Sequence, residues 1–291
     1  MRSELQQLTA HVYWLPPDAT TDRPILGVVA GERRTLIVDA GNSPAHARLL
    51  RAGMALAGLG KGDYLALTHW HWDHIFGADT LGLTTFAHEA TRQKIDEMLT
   101  WEWNDAALDR RVQEGVEIPF CRDMIQAEMP DRRLLKLRPV DIAYTEQVEI
   151  DLGGIHAQLL HVGGDHGADA SAVYVPEDRV VFLGDCLGQA IYTSRPHYTI
   201  QRLFPLLDRL LALEVDYYLE GHNPQPAPRW EIEEYFAWMK TVGRIVQQYA
   251  DDHEAAQAAL SALSPTSQND DPLELAELFW AGGEPGAMEE I

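Results

Sequence analysis

The stretch THWHWDH at residues 68–74 is the most informative segment of this chain. It follows an apolar run of the kind that forms a short buried strand. Four of its seven residues carry an imidazole or a carboxylate, the groups that zinc and similar divalent ions prefer as ligands. Alternate residues at a strand end point the same way, so His69 and His71 can share one ion. Asp73 and His74 lie on the following turn and can face a second ion.

Short β-branched runs alternate with helical stretches along the rest of the chain. Ile25–Val29 and Thr35–Val38 flank a turn and predict a hairpin, and Ser171–Val175 with Arg179–Leu183 predicts another. Helices are predicted at Ala45–Leu56, Ala90–Asn104, Leu203–Leu213 and Ile232–Tyr249. This alternation predicts an α/β sandwich in which helices cover sheets.

Composition excludes several classes of function. The 291 residues include 23 Lys and Arg against 45 Asp and Glu, and the net charge of −22 repels phosphate backbones and anionic membrane surfaces. We therefore expect no nucleic-acid partner and no membrane partner, and no apolar run approaches the ~18 residues of a membrane span. The N-terminus lacks the pattern of a signal peptide, and Cys121 and Cys186 cannot form a disulfide framework, so we expect a cytoplasmic protein.

With these motifs in place, the chain resembles the metallo-β-lactamase fold hydrolases. Five motifs in the family's order carry the resemblance, which covers roughly residues 10–225. They are LIVDAG at 36–41, THWHWDH at 68–74, GDHG at 164–167, LGD at 183–185 and EGH at 220–222. The resemblance implies a four-layer αββα sandwich, here with a helical insertion and a helical C-terminal extension.

The resemblance also implies a site for two divalent metal ions, with zinc expected and iron or manganese as alternatives. The ligands would be His69, His71 and His166 for the first ion, Asp73, His74 and His222 for the second, and Asp185 bridging both. Asp39 would lie outside the ligand set and orient the metal-binding loop.

His161 competes with His166 for the third position on the first ion. His166 is favoured because it stands among glycines, in a loop free to bend toward a metal. It also precedes Asp185 by 19 residues, which matches the family's usual interval between these motifs. His161 is predicted to lie at a strand end, outside the ligand set.

The sequence offers three candidates for substrate contacts. Tyr192 loosely matches a tyrosine that lactonases of this fold place soon after the bridging aspartate. His197 lies between the last two motifs, where the family often contacts substrate. No Lys occurs in Cys186–Glu220, although many β-lactamases place a carboxylate-binding Lys there. Trp101 is the third candidate.

Trp101 belongs to a connection of more than fifty residues between two predicted strands, a length that is usually functional or disordered. Its apolar content favours helices, and Ile95, Leu99, Trp103 and Ala106 would share the core face of one of them. The hypothesis is that residues 92–140 form a helical lid in which Trp101 helps to build the substrate pocket. The alternatives are helices that simply pack on the sandwich, or a contact in a homodimer.

Two domains are predicted, a catalytic one at 1–240 and a helical extension at 241–291 with a loop at 264–272 and a frayed tail from 281. The resemblance implies a hydrolase whose metal-bound hydroxide cleaves an ester, thioester, lactone or amide in a small molecule. Asp73 would orient the nucleophile. The alternatives are a phosphodiesterase, iron-dependent sulfur or oxygen chemistry, and a non-catalytic scaffold.

Overall fold

The computed structural model describes residues 4–250, 252–263 and 271–283. The first half of the described chain builds a seven-stranded sheet in which the strands pair in chain order, antiparallel as far as the fourth and parallel beyond it. Its elements are β1 (Gln6–Gln7), β2 (Val12–Leu15), β3 (Leu26–Ala30), β4 (Thr35–Val38), α1 (Pro44–Leu56), β5 (Tyr64–Ala66), α2 (Trp72–Ile75), α3 (Ala78–Leu81), β6 (Thr84–His88), α4 (Glu89–Met98), α5 (Asp105–Gln113), α6 (Pro119–Glu128) and β7 (Ile142–Tyr144).

The second half builds a six-stranded sheet, in which only the pair formed by its fourth and fifth strands is parallel. Its elements are β8 (Gln147–Asp151), β9 (His156–His161), β10 (Ser171–Val175), β11 (Val180–Gly184), α7 (Ile200–Leu211), β12 (Tyr217–Glu220), β13 (Ala227–Pro228), α8 (Arg229–Gln248), α9 (His253–Ser261) and α10 (Pro272–Gly282). Both predicted hairpins are present, as β3–β4 and β10–β11.

Three buried clusters show that the layers are stacked α, β, β, α. The middle cluster joins the two sheets, with Leu36 and Phe86 from the first and Leu159 and Val173 from the second. A second cluster packs the outer face of the first sheet against α1–α6, and a third packs the second sheet against α7–α10. Strand β4 is buried on both faces because Leu36 faces the other sheet and Ile37 faces the helices. The predicted αββα sandwich is therefore confirmed.

The helix predicted to run from Ala90 to Asn104 is shorter than expected. It ends at Met98, and a new helix begins at Asp105 because Asn104 caps it by accepting a hydrogen bond from Ala107 N at 2.9 Å. The predicted core stripe is therefore wrong in part. Ile95 and Trp103 are buried, but Leu99 is 41% exposed and Ala106 lies at the surface. Residues 101–103 are not helical, so the helical spacing assumed for them does not apply.

The C-terminal helices occur where the sequence predicts them. The predicted domain boundary at residue 240 falls inside α8, and α8 shares one buried cluster with α9, α10 and the second sheet. Most of the predicted loop (264–270) and most of the predicted frayed tail (284–291) lie outside the described residues. Every helix in the described ranges is too short or too polar to span a bilayer.

Candidate metal centre

Six of the seven candidate ligands follow the carboxyl ends of two pairs of parallel strands, and the seventh, His166, lies in the loop between the antiparallel strands β9 and β10. In the first sheet, β4 leads to Asp39 and β5 leads to the 68–74 loop. In the second, β11 leads to Asp185 and β12 leads to His222. Parallel strands end at the same edge of a sheet, so each pair of loops is brought together there. Contact between the sheets then brings the two sets of loops face to face.

The first group of ligand atoms comes from His69, His71 and His166. One ring nitrogen from each lies within 4.8 Å of the other two. Burial lowers the pKa of all three imidazoles below its usual value, with the neighbouring imidazoles adding to the effect on His69 and His71. Neutral imidazoles present lone pairs, so this group is ready to bind a cation.

The second group consists of Asp73, His74, Asp185 and His222, again with one atom from each within 4.8 Å of the others. Oδ2 of Asp185 lies 3.3 Å from Nε2 of both His74 and His222. The same oxygen lies 3.5 Å from Nε2 of His166 in the first group. Asp185 therefore stands between the two groups.

Buried polar atoms without partners support metal binding at this position. Nε2 of His69, His71 and His166 is buried in each case with no hydrogen-bond partner among the described residues. An orphaned buried polar atom costs free energy, about 1–3 kcal/mol each, and such atoms are rare. Three such nitrogens within 4.8 Å of one another fit a bound cation, and the nitrogen and carboxylate donors of the two groups suit a divalent ion such as zinc.

Charges in the second group also fit a cation. Burial alone would lower the pKa of His222, but Asp185 and Asp73 raise it to about 11. Burial alone would raise the pKa of Asp185, but His74 and His222 hold it well below its usual value. The two carboxylates therefore attract positive charge to this point, which a divalent ion would supply.

Asp39 holds the 68–74 loop through contacts with Thr68 and His74, without belonging to either ligand group. Its Oδ1 accepts a hydrogen bond from Thr68 N at 2.8 Å, and its Oδ2 accepts one from Thr68 Oγ1 at 2.9 Å. Oδ2 also lies 2.8 Å from Nδ1 of His74, which leaves Nε2 of that ring to face the site. Asp39 adopts φ +60, a left-handed conformation uncommon outside glycine.

Asp22 also faces the centre, although no sequence motif indicates it. Its Oδ1 lies 3.4 Å from Nδ1 of His222, on the side of the ring away from Asp185. Burial and the nearby Asp73 raise the pKa of Asp22 to about 6. Nothing in the local sequence marks this residue, because it comes from the loop before β3 and precedes all five of the motifs that point to the site.

The competing histidine lies elsewhere. Nε2 of His161 lies 2.8 Å from Ala168 O, and its ring stacks on that of His88 with a centroid distance of 3.9 Å. His161 thus contacts the loop that carries His166 but belongs to neither group of ligand atoms.

A cavity of about 620 Å³ opens beside the first group. His71 and His166 are among its lining residues, and the part of the chain between β6 and β7 contributes to the lining through α4 and the loop after α5. The residues that line it are Trp70, His71, Ala90, Gln93, Lys94, Glu97, Glu114, Gly115, Val116, Asp165, His166, Gly167, Ala168, Asp169, Ala190, Ile191, Tyr192 and Thr193.

The three predicted substrate contacts differ in their relation to this cavity. Tyr192 lines it, with its ring centroid 5.1 Å from those of His71 and Trp70. Trp101 is not among the lining residues, but its ring lies 5.4 Å from Nζ of Lys94, which does line the cavity. His197 is buried, its Nδ1 lies 3.0 Å from Arg195 O, and it is not among the lining residues.

Comparison with known proteins identifies the family. The sequence model of the metallo-beta-lactamase superfamily matches residues 26–243, and the chain belongs to this superfamily. Its members are mostly metal-dependent hydrolases. A solved metallo-beta-lactamase family protein from Thermus thermophilus has the same fold, with a TM-score of 0.57 at 20% identity over 84% of each chain.

Two curated relatives have printed activities of different kinds. The alpha subunit of 2,4-dinitroanisole O-demethylase from Nocardioides sp. (strain JS1661) is 26% identical over 197 residues, which are 67% of this chain and 51% of that protein. Hydroxyacylglutathione hydrolase from Ruegeria pomeroyi is 30% identical over 185 residues, which are 63% and 54%. This chain thus spans about half the length of the curated relatives it matches.

Proposed function

We propose that this protein is a dinuclear metal-dependent hydrolase that cleaves an ester, thioester, lactone or amide bond in a small molecule. The observation that carries the proposal is the pair of adjoining ligand groups with Asp185 between them. A protein that kept the fold only as a scaffold would be expected to lose ligands, and all seven are retained. Zinc is the proposed metal, with iron and manganese as alternatives for the same donors.

Bound at these residues, two divalent ions would supply an activated water and polarise the scissile carbonyl. The chain's own groups supply the rest. Asp73 is proposed to orient the attacking water, and the neighbouring imidazoles of His74 and His222 keep its pKa low against the effect of burial, so it stays an acceptor. Asp39 fixes the ring of His74 in one orientation.

The cavity supports a small substrate with an apolar or planar part. Trp70 and Tyr192 both line it, while the Tyr192 hydroxyl donates to Glu117 Oε1 at 2.9 Å and is not free for the substrate. The lining residues include one ammonium group, on Lys94, and four carboxyl groups, on Glu97, Glu114, Asp165 and Asp169. This balance disfavours polyanionic substrates and so argues against the phosphodiesterase alternative.

The test is metal analysis of the purified protein combined with a substrate panel. The panel contains thioesters, lactones, β-lactams and phosphodiesters, together with an aryl methyl ether because of the O-demethylase relative. We expect about two ions per chain, and turnover of a carbonyl substrate that a chelator abolishes and zinc restores. The His69→Ala variant should lose the ion of the first group and, with it, turnover. Turnover of phosphodiesters alone, or activity that survives full removal of metal, would refute the proposal.

A further inference from the structure

Glu128 is a buried carboxylate far from the ligand loops in sequence. It is the last residue of α6, and its side chain is 3% exposed. Arg23 donates to it twice, from Nη2 to Oε1 at 2.7 Å and from Nε to Oε2 at 3.1 Å. Ser43 Oγ donates at 2.6 Å, and Thr21 Oγ1 donates as well. Such a bidentate, charge-assisted cluster is among the more rigid polar contacts in proteins.

Two of the three donors to Glu128 lie on either side of Asp22. Thr21 and Arg23 are its immediate neighbours, and Asn42 Nδ2 holds the Thr21 carbonyl at 2.7 Å. The backbone of Arg23 pairs with that of Asp18 at 2.9 and 3.0 Å, which closes the loop. Asp22 itself adopts φ +59, a conformation that persists only where the surroundings fix it.

Asp22 in turn faces the least protected ligand. His222 is 37% exposed, whereas the side chains of Asp73, His74 and Asp185 are 11% exposed or less. Packing therefore constrains the His222 ring less than it constrains the others. The carboxylate of Asp22, 3.4 Å from Nδ1, favours the orientation in which Nε2 points at Asp73 and Asp185.

We propose that Glu128 is a positioning residue of the metal centre: it fixes the 18–23 loop so that Asp22 holds His222 in its metal-binding orientation. The segment between β6 and β7 thus does more than line the cavity, because through Glu128 it also supports the second group of ligands. This inference rests on the proposed metal centre and not on any particular substrate.

The experiment measures the affinities of the two sites for Zn²⁺ by competition with a chelator, in the full-length protein. The variants are Glu128→Gln and Asp22→Asn, singly and together. The matched control is Asp123→Asn, a carboxylate on the same helix that is 56% exposed. Co²⁺ absorption distinguishes the sites, because one offers three nitrogens and the other two nitrogens and two carboxylates.

Each single variant should weaken the His222 site about 10-fold while the three-histidine site keeps its affinity. The double variant should bind no more weakly than Asp22→Asn, because both changes act through one path. Asp123→Asn should behave like the wild type. If Glu128→Gln fails to fold, Thr21→Val removes one donor to Glu128 and should weaken the same site to a smaller extent.

Three results would overturn the inference: an unchanged His222 site in the Glu128 variant, equal weakening of both sites, or losses that add in the double variant. Failure of the metal centre itself would look different, because the wild-type protein would then not bind two ions at all.

Discussion

Nδ1 of His74 lies 2.8 Å from Oδ2 of Asp39, although the two residues are 35 positions apart in the sequence. The contact joins the end of β4 to the metal-binding loop after β5. It also selects the ring nitrogen that faces the site, since a proton on Nδ1 leaves the Nε2 lone pair for a cation. The rigidity of the centre thus depends on residues that would not themselves touch a metal.

The first prediction concerns this contact. Asp39→Asn should lower the affinity of the His74 site for zinc about 10–100-fold, because an amide attracts the Nδ1 proton less strongly than a carboxylate. Chelator competition measures the effect. Asp63→Asn is the matched control, since Asp63 also accepts from a backbone amide, that of Thr35 at 2.9 Å, but at the other end of β4. Equal affinities in the two variants would contradict the proposed role of Asp39.

The second prediction separates two histidines. His166→Ala should lose one ion per chain, because Nε2 of His166 is one of three nitrogens in the first group. His161→Ala should keep both ions and lower affinity only slightly, since His161 contacts the loop through Ala168 O. The measurement is the metal content of each variant after gel filtration. If His161→Ala lost an ion and His166→Ala kept both, His161 would be the ligand.

The third prediction separates two tryptophans. Trp70→Ala should raise KM about 10-fold on the best substrate of the panel, because Trp70 lines the cavity beside Tyr192. Trp101→Ala should change KM less and act through Lys94. Metal content should stay near the wild-type value in both. A larger effect on KM from Trp101 than from Trp70 would favour the original hypothesis that Trp101 builds the pocket.

The fourth prediction concerns acid stability. His46 on α1 is buried, its Nδ1 has no partner in the described part of the chain, and burial lowers its pKa to about 3. The unfolded chain takes up a proton on this residue below about pH 6.5, while the folded chain does not. Stability is therefore lost as pH falls from about 6.5 toward 3, by about 2 kcal/mol at pH 5.

Urea unfolding of the metal-free protein at about pH 7, 6 and 5 measures this loss. His46→Leu should decline less steeply with acid than the wild type. His156→Gln should leave the decline in place, because His156 is exposed and Glu177 raises its pKa instead. Parallel curves for the wild type and His46→Leu would show that His46 is not the group responsible.

Much of the fold follows from local pattern. The two hairpins, the strands that lead to Asp39, His69, Asp185 and His222, and the helices α1, α7 and α8 could be predicted because apolar residues recur there with the period of a strand or a helix. The short helix α2, which carries Asp73 and His74, was predicted only as a turn. The connection at 92–140 was predicted less well. The predicted single helix ends at Met98, and a second helix begins at Asp105, where the Asn104 side chain caps it. A prediction from apolar periodicity alone does not take such a capping residue into account.

Five motifs in order along the sequence predicted the family and, through the resemblance, the layer order, and the spacing at 68–74 predicted a cluster of candidate ligands. Which distant groups surround that cluster became apparent only once the chain was folded. Folding brought Asp22 to His222, joined Glu128 to the loop around Asp22, and placed Trp70 rather than Trp101 in the cavity wall. These contacts arise where loops from two sheets and an inserted segment meet, and their spacing along the chain carries no period from which they could be predicted.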